Sequence, residues 1–225
     1  MGLRGWAILG VLAGAAGWWY SPLSPRVPPA PEVRAVSTAV GVGAPGANPL
    51  CPPPPRAGDG GEPLQSPLPA AFPAVTIESA RLNPLAGFSI DARVLSRRDY
   101  AYGREADFSP TDLALGWGRM RDEEVLARLD IEQRGRWYHY RWRDSPPIPS
   151  REIAKSSANM HIIPADPAAA GALRRVRDGQ RVRIDGWLVE VVADDGWKWR
   201  SSLTRDDMGA GACELIYACT IVTGY

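Results

Sequence analysis

The stretch Arg181-Val-Arg-Ile-Asp-Gly-Trp-Leu-Val-Glu-Val-Val192 decides the fold class. It is rich in β-branched residues and has no helical spacing, so it reads as one long strand. Gly186 stands inside it, where a glycine marks a bulge or a barrel-type bend. Asp194-Asp-Gly196 turns the chain back into Trp197-Lys-Trp-Arg-Ser-Ser-Leu203. After a loop from Thr204 to Gly211, Ala212 to Val222 forms a last, strongly β run.

Upstream, shorter signals surround this sheet. Phe88 to Val94 alternates apolar and polar residues, as a half-buried strand does. Ser109-Pro110-Thr-Asp112 has an N-cap residue followed by a first-turn proline, and predicts a short helix ending near Gly116. Asp122 to Leu129 predicts a second helix, with acids in its first turn. Leu129–Gln133 and Arg136–Arg143 flank Arg134-Gly135 and read as a hairpin. Ser150–Ser157 predicts a third helix and Asn159–Ile163 a strand. Asp166-Pro167 opens a fourth helix through Val176. The expected class is α+β: an antiparallel, curled or barrel-like sheet with several short helices. An OB-like barrel is compatible by analogy, on the Gly186 bend and the hairpin spacing.

The rest of the chain is unlike this part. Of 22 prolines in 225 residues, 15 fall between Ser21 and Val75, including Pro52–Pro55. Proline lacks a backbone donor, and the stretch holds few large apolar residues, so residues 21–75 read as a disordered tether. Ahead of it, Trp6 to Tyr20 carries no charge and follows Arg4. As a helix it spans about 22 Å, short of a full bilayer core. Trp18, Trp19 and Tyr20 sit where an interfacial belt would sit, which favours an uncleaved signal-anchor over residues 1–20. Ala13-Gly14-Ala15 keeps a cleaved signal as the alternative. The expected division is anchor 1–20, tether 21–75 and globular domain 76–225. The whole chain has net charge +1; removing the 4 basic and 3 acidic residues of the first 75 leaves 22 of each. That balance disfavours a nucleic-acid partner.

Candidate chemistry is sparse. Cys213 and Cys219 lie six apart in one expected strand, too distant to bond each other, while Cys51 can reach either. Small buried hydrophobes are their ordinary role. His139 and His161 have no partner at ligand spacing, so neither a metal nor another cofactor is implied. His161 lies near Ser156 and Ser157, without a nucleophile elbow anywhere. Arg134-Gly-Arg-Trp-Tyr-His-Tyr-Arg-Trp-Arg143 interleaves arginine and aromatics, a pattern that stacks on sugar rings or bases. Strand parity puts Tyr138, Tyr140 and Trp142 on one face and Arg141 on the other. Trp197 and Trp199 share a face, with Arg200 and Ser202 opposite. Arg205, Asp206 and Asp207 follow in the longest loop of the C-terminal half, where function concentrates. The candidate binding set is therefore Arg141, His161, Trp197, Trp199, Arg200, Ser202, Arg205, Asp206 and Asp207.

Ser157-Ala-Asn-Met-His-Ile-Ile-Pro164, Gly186-Trp-Leu-Val-Glu190, Gly196–Arg205 and Gly211-Ala-Cys-Glu-Leu215 resemble a family of bacterial membrane-anchored proteins of unknown function. The resemblance covers about residues 85–222. It implies an envelope protein and supplies no catalytic residue, cofactor or substrate. The expectation is a single-pass inner-membrane protein, anchored through residues 6–20, whose periplasmic domain binds an envelope protein or cell-wall component. One alternative is an envelope hydrolase or transferase working from Arg200–Gly211. The other is an OB-like module for oligosaccharide or single-stranded nucleic acid.

Overall fold

A computed structural model describes residues 33–35, 51–72, 75–77, 80–204 and 213–224. The expected anchor over residues 6–20, most of the first half of the tether, and Arg205, Asp206 and Asp207 lie outside the described residues. Among the described residues, no helix is long and apolar enough to cross a membrane.

The chain runs β1 (Val33–Ala35), β2 (Leu64–Ser66), β3 (Val75–Ile77), β4 (Ala80–Asp99), α1 (Arg104–Phe108) and β5 (Thr111–Gly116). A 3-10 turn (Gly118–Arg121), α2 (Glu123–Leu126), β6 (Asp130–Arg134), β7 (Trp137–Arg141) and α3 (Ser150–Lys155) follow. Then come β8 (Ser157–Pro164), α4 (Pro167–Arg175), β9 (Arg181–Ala193), β10 (Lys198–Arg200) and β11 (Glu214–Thr223). The class is α+β and sheet-dominated.

The main sheet is ordered β1-β3-β4-β5-β8-β11-β9-β10, with β2 on β4. Its long member is β4, 20 residues that pair with β9 over Ala80–Arg93 and with β5 over Arg93–Asp99. The pairings thus return to β4, and the sheet curls until it is partly closed without becoming a barrel. Bulges between Pro84 and Ala86 and between Val94 and Ser96 bend β4. Pro84, with no donor to give the ladder, sits at the first of these bends. The neighbours β8 and β11 run parallel; the other pairs of the main sheet are antiparallel.

The run that decided the fold class is β9, buried on both faces. Val182, Ile184 and Leu188 point into one core cluster, with Phe88, Ile90, Leu113, Leu115, Met160 and Ile216. Trp187, Val189, Val191 and Ala193 point into the other, with Val75, Ile77, Leu82, Ile163, Leu215 and Tyr217. Gly186 lies against β11, where a Cβ would collide with the Tyr217 carbonyl. The bulge expected at this glycine falls on the partner strand, where the β11 register shifts between Ala218 and Thr220.

Three expectations change. Residues 109–116 are the strand β5, not a helix: Ser109-Pro110 offers a local start, but the slot between β4 and β8 buries every residue of Thr111–Gly116. The tether does not extend to Val75. Cys51 is buried and bonded to Cys219, Trp187 Nε1 donates to the Pro52 carbonyl (2.9 Å), and Ala57 N–H donates to Ser89 Oγ (2.8 Å). The Arg183 guanidinium donates to the Ala57 carbonyl (2.9 Å), so residues 51–60 lie as a strap across β4 and β9. A disulfide and backbone hydrogen bonds do here what apolar bulk does elsewhere. The cysteines are therefore not three equivalent thiols: Cys51 and Cys219 are joined to each other, and Cys213 stands outside that bond. Cys213 precedes β11 and the bulge intervenes, so Cys213 and Cys219 do not belong to one regular strand face.

Candidate functional site

The hairpin β6–β7 is expected, but its turn falls on Gly135 and Arg136, since Arg134 pairs with Trp137. Both turn residues are left-handed, with φ 59° and 64°, as a two-residue type I′ connection requires. That turn aims Arg136 at the main sheet. Its guanidinium donates to Asp112 Oδ1 on β5 (3.0 Å) and to the Ser109 carbonyl (3.1 Å). Its carbonyl accepts from Asn159 Nδ2 on β8 (3.1 Å), and its N–H donates to the Tyr100 hydroxyl (3.1 Å).

Asp112 is fully buried. A buried carboxylate is costly unless paired, and this one is paired from three sides. Besides Arg136, Asn159 Nδ2 donates to its Oδ2 (3.3 Å), and His161 Nδ1 lies 2.8 Å from its Oδ1. Because the carboxylate accepts, Nδ1 carries the imidazole proton. Gln133 Nε2 donates to Asn159 Oδ1 (2.6 Å) and extends the network to the hairpin. Asp112 and His161 face each other across β5 and β8, as do Ala114 and Asn159.

Aromatic rings cover this network. The Trp199 ring lies 4.8 Å from His161, and Trp197 lies 6.1 Å from Trp199 and stacks on Phe108 at 5.9 Å. Arg104 sits 4.7 Å over Trp197; Arg136 sits 4.1 Å over Tyr100 and 5.5 Å over Trp199. The result is a half-buried ledge of rings and guanidiniums, with Tyr102 standing beside Tyr100 in sequence at 88% exposure. Burial, with the Asp112 charge adding to it, pushes the Tyr100 phenol up to about 12, against a smaller opposing pull from Arg136. A hydrogen bond from Arg104 holds the Asp195 carboxyl below its usual range.

Of the expected residues, Trp197, Trp199 and His161 meet here. Arg200 points away and pairs with Glu190 (3.3 Å). Arg141 pairs with Asp130 (2.8 Å) on the exposed hairpin, beside an open cavity of about 360 Å³. Ser202 is buried and closes a local turn, accepting from Thr204 N–H (3.1 Å). Arg205, Asp206 and Asp207 lie outside the described residues. Asp112, Asn159, Arg136 and Tyr100 were not expected. Their signals are an acid beside Leu113-Ala-Leu115, and Asn159 and His161 alternating with Met160 and Ile162, a polar pair on one face of an apolar strand. Among the described residues, no group of three or more acidic, His or Cys side chains is placed to hold a metal. No protein-family model, curated protein or solved structure matches the chain.

Proposed function

We propose that the chain is a tethered binding module of the bacterial envelope, OB-like in plan, whose aromatic–arginine ledge takes saccharide rings. The observation that carries this reading is where the ledge falls. Counting β4, β5, β8, β9 and β11 as the five main strands, the ledge is built from the second and third strands and the first and fourth connections, with Arg136 added from the hairpin in the second connection. Those are the surfaces with which OB modules take oligosaccharides and oligonucleotides. Tyr100, Trp197 and Trp199 offer ring faces, and Arg104 and Arg136 offer donors for hydroxyls. The 22-to-22 charge balance after residue 75 favours sugar over nucleic acid. The Cys51–Cys219 disulfide supports export, since such bonds persist in oxidising compartments. The Trp6–Tyr20 run supports anchoring to the inner membrane, with the domain in the periplasm.

The hydrolase or transferase alternative needs an accessible base beside Arg200–Gly211. His161 is 4% exposed, held by Asp112 and covered by Trp199, which suits a scaffold better than proton transfer.

The test is co-sedimentation of the full chain with purified peptidoglycan sacculi, beside binding to an oligothymidylate probe. Sedimentation with the sacculi, reduced about tenfold in Trp197→Ala, is expected, since a stacked ring is worth about 1–3 kcal/mol. Absence of sedimentation, or binding unchanged in Trp197→Ala, overturns the reading. Binding of the oligonucleotide instead favours the nucleic-acid form of the same ledge.

A further inference from the structure

A second polar site, with no lining residue in common with the ledge, lies where β4 passes from β9 to β5. Arg93 stands where β4 leaves β9 and joins β5, and it pairs in register with both Arg181 and Gly116. Two arginines directly opposite each other across a ladder repel unless something neutralises them. Arg93, Arg121 and Arg181 line one cavity of about 290 Å³, with Gly118, Gly179 and Asp122 completing its wall. Gly179 is left-handed, at φ 80°, and a Cβ there would stand 3.9 Å from the Arg93 guanidinium.

Around this cavity four arginines meet four carboxylates, but only one of those carboxylates, Asp91, is shown buried. The buried carboxylate is Asp91, which is shared by Arg183 (2.9 Å), Arg181 (3.3 Å) and Arg121 (3.8 Å). One carboxylate thus serves three guanidiniums, and Arg93 is a fourth. Two further acidic partners are Glu123, 3.6 Å from Arg93, and Asp59, 2.9 Å from Arg183. Their side chains are 87% and 80% exposed, where solvent screens them. Asp122 adds one further negative charge on the wall. Arg93 Nη1 donates to the Arg121 carbonyl (3.2 Å), but among the described residues its buried Nε has no acceptor.

We propose that this cavity binds a phosphoryl group. Arginines from β4, the 3-10 turn and β9 line it, an arrangement suited to the several oxygens of a phosphate more than to a planar carboxylate. The volume exceeds the roughly 30 Å³ share of a water molecule several-fold, enough for a phosphate or diphosphate. A bound phosphoryl group neutralises the Arg93–Arg181 opposition and gives Arg93 Nε its missing acceptor. The group comes from a soluble phosphate or from an anionic phospholipid headgroup at the membrane surface.

The experiment uses the full chain. Its thermal midpoint is followed with inorganic phosphate, pyrophosphate and acetate at matched ionic strength. In parallel it is sedimented with vesicles of phosphatidylglycerol and of phosphatidylcholine. Phosphate or pyrophosphate raising the midpoint, with an affinity about tenfold or more weaker in Arg93→Gln, supports the proposal and a soluble source. Sedimentation with phosphatidylglycerol alone, weakened to the same degree in Arg93→Gln, supports it with the headgroup as source. Asp122→Asn removes the wall's negative charge and is expected to tighten binding two- to threefold. It decides the matter if Arg93→Gln does not fold, and no tightening then overturns the proposal. Acetate matching phosphate, or no response to Arg93→Gln in either arm, also overturns it.

Discussion

Arg136 is the one non-glycine among the described residues with a left-handed backbone, φ 64°. Such a conformation costs an L-residue roughly 1–2 kcal/mol, and it persists where the surroundings hold it. Here the holding contact is Asp112, fully buried and 3.0 Å away. Arg136→Gly relieves the backbone and strips the carboxylate of its cation. Breaking a buried pair costs about 3–5 kcal/mol, so the charge loss wins and a net destabilisation of about 2–3 kcal/mol is expected in urea melts. Asp112→Asn in the same background should return part of it. A variant as stable as the parent would mean that Asp112 does not depend on this arginine. Tyr100 reports on the same contact. Its folded pKa of about 12 lies above the roughly 10 of an unfolded tyrosine. Its contribution to stability is therefore whole below about pH 10 and is lost as pH rises through about 12. Burial pushes Tyr138, Tyr140 and Tyr217 up as well, so the Tyr100 step is read in absorbance titration as the difference from Tyr100→Phe, and it should come later still in Arg136→Gly, where the positive charge that favours the phenolate is gone. A Tyr100 that titrates normally would show the ledge to be open to water.

At the scale of elements, the strap decides more than its composition suggests. The Cys51–Cys219 bond closes a separation of 168 residues. Loop-closure entropy assigns such a bond as much as about 5 kcal/mol, with about 2–4 kcal/mol typical of measurement. Cys51→Ser and Cys219→Ser should each lower stability by that typical amount, and reductant should do the same to the parent and nothing to either variant. Equal melts with and without reductant would show that the strap holds without its bond. Beyond a Cys51 able to reach either later cysteine, none of this is legible in Cys51–Pro55, because the contacts of the strap use backbone groups of Pro52 and Ala57, which leave no side-chain pattern. β9 is legible for the opposite reason: its side chains fill two cores, one on each face, and the β-branched residues that do so are visible in the sequence itself. β5 is misread because Ser109-Pro110 is a local signal, whereas the slot between β4 and β8 is a distant one. For the ledge, Trp197, Trp199 and His161 announce themselves by residue type. Asp112, Arg136 and Tyr100 become a site only because a hairpin turn and two strands bring them together.

For the whole molecule, the question is where the folded part begins. A boundary at residue 76 would leave the strap and β2 outside, yet β2 pairs with β4 and the Gly60 carbonyl accepts from Gly118 N–H (2.9 Å). Removing those residues would uncover Trp187, which packs edge-on against Phe72 at 4.6 Å, and would leave Ser89 and Asp185 without Ala57 and Arg56. The unit that resists proteolysis should therefore start upstream of Cys51. Arg56 makes a sensitive probe: its side chain is 66% exposed, but the next residue's N–H is bonded to buried Ser89. Cleavage there requires the strap to open, and opening is limited by the disulfide on one side and the Arg183 contacts on the other. Trypsin acting on the oxidised full chain, read by intact mass, should leave residues 51–61 attached and the Arg56–Ala57 bond uncut. Reduction should make that bond a rapid cleavage site. Rapid cutting at Arg56 in the oxidised chain would move the boundary to β2 or beyond.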